Sequence, residues 1–441
     1  MPGKGRGIEM ARKSKKILRW VRLDNAAKIY PAARRRNWSN LFRQSVTLCE
    51  DVDVDVLRSA LDVTVKRFPS IAARLRKGLF WYYLQQVEET PEITEEKSYP
   101  LCFMDREEIR RCAMRVIVHR ERIAVEFFHS LTDGTGALIF LKTLTAEYLE
   151  QKYKITVPCG CGILDRKEEP KAEELEDSFP KYAGSVLASR KDTNAWHMKG
   201  EPQPGGFLNL VCFHLPVADA LAAAHRYNTT LTVFMSAVMM KALENLQNEK
   251  NPTRKKQKLI KLLIPINLRR IFPSNTLRNF AMYTIPELDP RLGEYSFEEI
   301  CKIIEHKMGT EVTAKHMSKV IATNVGDEKN PFVRLIPLPL KNLVMKAVFD
   351  TVGEKKSCLT LSNLGNVKLP EIMKKYVQRM DFILGVQAAA PYNCGMLSYG
   401  DTVYINFIRN TREAELERHF WGVLEEMGIP ATVESNQNPE V

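Results

Sequence analysis

The stretch from Cys112 to Tyr148 constrains the fold more than any other, because it passes from strand to turn to helix without a spacer. Cys112–His119 is rich in β-branched residues, Arg120-Glu121-Arg122 is polar, and Ile123–His129 resumes the apolar pattern. Two such runs around a short polar segment predict an antiparallel hairpin. Side chains alternate along a strand, so Ile123, Val125, Phe127 and His129 are expected on one face. Gly134 and Gly136 then break the strand, and Leu138, Leu141, Leu144 and Tyr148 recur at helical spacing. That order sets His129 at the rim of a sheet, beside glycines that let a ligand approach the backbone closely.

The remaining patterns mix strands and helices in both halves, which predicts an α/β chain. Leu57, Ala60, Leu61, Thr64, Val65 and Phe68 predict a helix that opens at Asp53 or Asp55 and ends at Pro69. Further on, Leu208–Leu215, Leu259–Ile266, Cys358–Ser362 and Thr402–Ile408 read as strands, and Thr232–Leu246 as a buried helix. A final helix is expected from about Asn410, with Glu413 completing a capping box. At 441 residues the chain is long enough for two domains. The expected division is a basic tail over 1–20, an N-terminal lobe over 21–163, a connection over 164–206 and a C-terminal lobe over 207–441. The acidic run from Leu164 to Ser178 is expected to be exposed.

The net charge is +12, yet the basic residues are scattered and form no finger, arginine-rich repeat or aromatic-interleaved stripe. A nucleic-acid partner is therefore not expected, and the field suits a small polyanionic ligand instead. No apolar run approaches the ~18 residues of a membrane span. The N-terminus is basic without an apolar segment, so no secretory signal is read there. Nine cysteines at irregular spacing read as reduced thiols of a cytoplasmic protein. Cys159 and Cys161 lack the further ligands that a zinc site needs, so no metal is expected.

Histidine is the side chain best matched to proton transfer near neutrality, and His129 is the one with a turn of glycines beside it. His119 is the nearest competitor but ends at a polar turn without glycine, and His214, His225 and His306 lie within expected strands or helices. Asp133 can serve as a base, an orienter or a structural anchor. Ser130 has no Gly-x-Ser-x-Gly surroundings, so a serine-hydrolase reading is weak. Phosphate-binding and dinucleotide loops are absent from the sequence.

His129, Asp133 and Gly134 form the pattern His-x-x-x-Asp-Gly. This resembles the signature of the thioester-dependent acyltransferase superfamily, which includes chloramphenicol acetyltransferase and the condensation domains of nonribosomal peptide synthetases. Ile264–Arg269, Phe272-Pro273-Ser274, Thr276–Phe280 and Leu361–Gly365 resemble the microbial alcohol acetyltransferase branch in particular. The resemblance runs from about residue 20 to 430. It departs from many relatives in having Phe128 where they carry a first histidine, and in lacking the Asp-Phe-Gly-Trp-Gly element of the plant branch. The stretch Ser362-Asn363-Leu364-Gly365 is taken as the counterpart of that element.

The resemblance implies two pseudo-symmetric lobes of the chloramphenicol acetyltransferase type, each a mixed sheet with helices, and a tunnel between them. It implies that His129 is the general base of acyl transfer from acetyl-CoA or another acyl-CoA to a small alcohol or amine, with no permanently bound cofactor and no acyl-enzyme. Ser362 and Asn363 are the candidate oxyanion donors. Asp133 and Gly134 then play structural parts, and Asp133 pairs with an arginine of the other lobe, Arg269 first and Arg270 as the alternative. A monomer is expected. Two other readings stay open: a condensation-type enzyme fed by a carrier protein, and a non-catalytic binding relative.

Overall fold

The structure is a computed structural model that describes residues 20–33, 40–96, 98–187, 193–329, 335–349, 354–387 and 390–437. The basic tail expected over 1–20 lies outside the described residues except for Trp20. The first half supplies strands β1 (Trp20–Arg22), β2 (Leu41–Leu48), β3 (Ala73–Lys77), β4 (Tyr82–Gln86), β5 (Ile93–Glu95), β6 (Met114–His119) and β7 (Arg122–Phe128). The second half supplies β8 (Asn209–Pro216), β9 (Ile260–Asn267), β10 (Ala281–Thr284), β11 (Glu287–Leu288), β12 (Leu359–Asn366), β13 (Val377–Leu384), β14 (Tyr392–Tyr399), β15 (Thr402–Arg409) and β16 (Thr432–Ser435).

The expected hairpin is β6 and β7, paired antiparallel from Met114↔Phe127 to His119↔Arg122. It begins two residues later than the sequence suggests. Cys112 is held by the short helix Arg106–Arg111, where its N–H donates to the Glu108 carbonyl. β7 stops at Phe128, and His129 stands just past it, its N–H donating to Asn40 O at 2.9 Å. The helix Gly134–Tyr153 follows, and it packs against Val54–Arg67. Asp53 caps that second helix, accepting from the amides of Asp55 and Val56, and Leu57, Ala60, Leu61, Thr64 and Val65 form its buried face.

One sheet runs in the order β13-β2-β7-β6-β5 and another in the order β10-β9-β12-β14-β15-β8-β16. A small sheet, β1-β4-β3, stands apart. The architecture is thus mixed α/β in two lobes, with two hydrophobic cores. One gathers Phe42, Phe68, Phe127 and Phe140, the other Phe213, Phe234, Phe280 and Phe407. The lobes are not divided by one cut in the chain. β13 belongs by sequence to the second half, yet it pairs antiparallel with β2 of the first, from Val377↔Leu48 to Leu384↔Phe42. Gly395 of β14 lets that strand come close: a Cβ there would lie 2.3 Å from Phe382 O.

Two expectations need correction. The last helix is Glu415–Glu426, begins at Ala414 without a side-chain cap, and lies five residues beyond the expected start. Glu413 is engaged elsewhere, accepting from the Glu201 N–H at 3.1 Å, and so is not a capping residue. The acidic run over 164–178 is not simply exposed. Glu174 is buried and accepts two hydrogen bonds from Arg67, at 2.5 and 2.6 Å, which satisfies a carboxylate that could not otherwise leave water.

The segments carrying Thr132 and Leu277 approach each other closely at Gly136. Thr132 Oγ1 donates to Leu277 O at 2.5 Å, and a Cβ on Gly136 would lie 2.1 Å from that hydroxyl and 2.2 Å from that carbonyl. Alanine would gain up to about 1 kcal/mol of helix propensity. Overpacking against backbone costs about 1–3 kcal/mol, so the clash should win. Gly136→Ala is expected to lower the urea midpoint, and an unchanged or raised midpoint would contradict this close approach.

Candidate active site

His129 projects from the end of β7 into an aromatic cradle. Tyr30 stacks on its ring with centroids 4.5 Å apart and planes 19° from parallel, and Phe42 meets it edge-on at 4.9 Å. Phe42 and Phe127 of neighbouring strands stack at 5.4 Å and fix that wall. Burial lowers the basicity of the imidazole below its ordinary value, against smaller opposing effects of its own backbone carbonyl, Asp133, Asn279 and Asp24. Burial thus favours the neutral ring, the form that a proton acceptor requires.

Which nitrogen is free follows from Asn279. Its Oδ1 lies 3.1 Å from His129 Nδ1, and its Nδ2 donates to the backbone carbonyl of His129 at 3.1 Å. A carbonyl can only accept, so this second bond fixes the amide with its oxygen toward the ring. Nδ1 must then carry the hydrogen and donate to Asn279, which leaves the Nε2 lone pair available. Asp24 reinforces the arrangement, accepting from Asn279 Nδ2 at 3.3 Å and from the Ala27 N–H at 2.7 Å. Its carboxyl is fully buried, which raises its pKa against the pull of Arg278 3.5 Å away.

Asp133 points away from the ring and caps the helix Gly134–Tyr153. Its Oδ1 accepts from the amides of Thr135 and Gly136, at 3.1 and 3.0 Å. Its Oδ2 accepts from Arg269 Nη1 at 2.7 Å and from the Phe280 N–H at 2.8 Å. Arg269 is in turn held by the carbonyls of Thr276, at 2.9 Å, and Arg278, at 2.5 Å. Arg270 is exposed and is not the partner. Gly134, the first helical residue, accepts from Gln44 Nε2 at 2.7 Å and leaves room for Leu364, whose Cδ2 would lie 2.7 Å from a Cβ there.

Leu364 thus brings the end of β12 to the motif. Within that segment, Asn363 Nδ2 donates to Thr232 Oγ1 at 3.0 Å, and its Oδ1 accepts from the Gly365 N–H at 2.7 Å. Asn363 shapes the turn, and neither it nor Ser362 is hydrogen-bonded to His129. His119 lines a different, polar cavity of about 420 Å³ together with Arg122, His214, Arg379 and Glu434. Among the described residues no cluster of three or more His, Cys, Asp or Glu could hold a metal. Sequence reasoning missed Asn279, Asp24, Tyr30 and Phe42. Asn279 stands in a stretch with a family-like pattern, but nothing local shows that it reaches a histidine 150 residues away.

No family model matches the chain, and no curated protein matches it. Solved structures do. The TRI3 trichothecene 15-O-acetyltransferase from Fusarium sporotrichioides has 14% identity over 92% of this chain and 94% of its own, with a TM-score of 0.56. The first condensation domain of the calcium-dependent antibiotic synthetase has 14% identity over 93% of this chain and 98% of its own, with a TM-score of 0.60. The TRI101 of F. sporotrichioides, solved with coenzyme A and T-2, has 10% identity over 94% of this chain and 99% of its own, with a TM-score of 0.60.

Asp133→Ala removes one partner of a shielded ion pair, which costs about 3–5 kcal/mol. It also removes a helix cap, about 1 kcal/mol, and leaves the Phe280 N–H without an acceptor. Arg269→Ala keeps the cap and that acceptor. Asp133→Ala is therefore expected to be the less stable of the two by urea denaturation, and the reverse order would contradict the pairing just described. Identity is low, and what the comparisons establish is the fold: this chain has the two-lobed architecture shared by these acetyltransferases and condensation domains.

Proposed function

We propose that the chain is an O-acyltransferase that moves an acetyl or short acyl group from acyl-CoA to a small alcohol, acting as a monomer. The observation that carries this reading is the Asn279 clamp, which leaves Nε2 of His129 free to accept a proton, while burial favours the neutral ring. In the proposed reaction Nε2 takes the hydroxyl proton as the oxygen attacks the thioester carbonyl. The tetrahedral oxyanion needs a hydrogen-bond donor, and Ser362 is the better candidate because the Asn363 amide is engaged with Thr232 and Gly365. Collapse breaks the C–S bond, and the proton held by His129 passes to the departing thiolate. No acyl-enzyme forms.

The likeness to a fold solved with coenzyme A supports that donor, and so does the net charge of +12, which favours a polyanion. Coenzyme A binding measured by calorimetry is then expected to weaken with salt. A carrier-protein donor is the competing reading, favoured by the likeness to condensation domains. Turnover with an acylated carrier and none with acyl-CoA would select it.

The direct test is thiol release from acetyl-CoA over a panel of alcohols. His129→Ala is expected to lower kcat by about 10²–10⁴-fold, the usual range for a general base, with the fold intact. A folded variant that turns over normally would overturn the proposal. Because burial lowers the pKa of His129, kcat/KM should stay flat above pH ~6.5, the ordinary histidine value. It should fall only at more acid pH, as the ring becomes protonated. Asn279→Ala, which frees the ring to adopt either tautomer, is expected to lower kcat with little change in KM.

A further inference from the structure

Cys159 and Cys161 stand one glycine apart, and acyl transfer gives them no part. Cysteine is usually a buried residue, and Cys212, Cys301, Cys358 and Cys394 are buried here. Cys159 and Cys161 are free thiols, and both are exposed. The turn that carries them is tightly made. Gly160 and Ile163 exchange both backbone hydrogen bonds, at 3.2 and 2.8 Å. That leaves Cys161 and Gly162 as a two-residue hairpin loop, with φ of 52° and 84°. Successive positive values belong to a type I′ turn, whose first loop position favours asparagine, aspartate or glycine. Cysteine is a poor residue for that backbone, and such an outlier points to the chemistry of its side chain.

The two glycines of the loop differ in freedom. Lys142 Nζ donates to the Cys161 carbonyl, and a Cβ on Gly162 would lie 2.6 Å from that amine, so the turn is seated on the helix Gly134–Tyr153. At Gly160, with φ 129°, a Cβ would meet nothing within 4 Å. The residue between the two thiols is thus the one with open space and the widest choice of dihedrals. The sulfurs can close on each other while the loop stays anchored.

We propose that Cys159 and Cys161 are a dithiol site for reversible exchange with small disulfides of the glutathione type. One cysteine gives up its proton, and its thiolate attacks a sulfur of the small disulfide. That S–S bond breaks, a mixed disulfide forms, and the departing thiolate takes up a proton. The second cysteine then loses its proton and attacks the mixed disulfide, closing a Cys159–Cys161 bond and releasing a second small thiol. Two protein thiols are oxidised to one disulfide, and the small disulfide is reduced to two thiols. Exposed or strained disulfides are the labile ones, so excess reduced glutathione reopens the bridge. The site is separate from His129, so the acyl-transfer reading and this one can fail independently.

The test is to incubate the full chain with glutathione disulfide, block the remaining thiols with N-ethylmaleimide and map the peptides by mass. The peptide holding both cysteines should be two hydrogens lighter and carry no blocking group. This bridged form should exceed the glutathione-capped form by about tenfold or more, because the second thiol is tethered to the first. Cys49, the other exposed thiol, has no such neighbour in sequence and serves as the reference: it should stop at the glutathione adduct. Cys159→Ser and Cys161→Ser should each leave the partner cysteine as a lasting adduct, and His129→Ala should form the bridge like the wild type. Thiols that both remain open to the blocking reagent would overturn the proposal. So would two glutathione adducts on that peptide, or a bridge from either cysteine to any other.

Discussion

The carboxylate of Asp133 is the interaction on which the rest of this site depends. One oxygen closes the first turn of the helix that follows β7, and the other joins that turn to Arg269 and to the backbone of Phe280 in the other lobe. A buried carboxylate is tolerable only when its lone pairs are satisfied. Here helix geometry and lobe geometry must both be right for that to happen. The tie also governs Asn279, which is the residue next to Phe280 and reaches His129 from the other lobe. Moving the lobes apart would therefore break the ion pair and unclamp the imidazole together.

Around that tie, glycine and aromatic residues have opposite tasks. Gly136 and Gly395 are places where a side chain would collide with backbone of a neighbouring segment, so their lack of a Cβ sets how closely the parts approach. Tyr30 and Phe42 instead fill space beside the imidazole and take it partly out of water. The same desolvation that favours the neutral ring would strengthen any electrostatic interaction made there in a transition state.

Much of the fold could be read from local pattern. The β6–β7 hairpin, the helices from Asp53 and Gly134, and four strands of the second half, β8, β9, β12 and β15, follow from periodicities of two and 3.6; β10, β11, β13, β14 and β16 were not read. The Asp133–Arg269 contact followed from a family-like motif rather than from spacing. What stayed hidden depends on distance along the chain. β13 joins the first sheet through pairing with β2, and nothing in Val377–Leu384 specifies which sheet it enters. Glu413 looks like a capping residue because the sequence cannot show that Glu201 reaches it first. Asn279 and Asp24 take their meaning only from contacts with His129 and with each other, across lobes.

The account rests on His129 holding its hydrogen on Nδ1 and presenting a bare Nε2. Selective ¹⁵N labelling of histidine, with His129 assigned by comparison with His129→Ala, reads both ring nitrogens directly. At neutral pH a protonated Nδ1 and an unprotonated Nε2 are expected, with a titration midpoint below the ordinary histidine value. An Nε2-protonated tautomer, or a ring that remains cationic at pH 7, would contradict it.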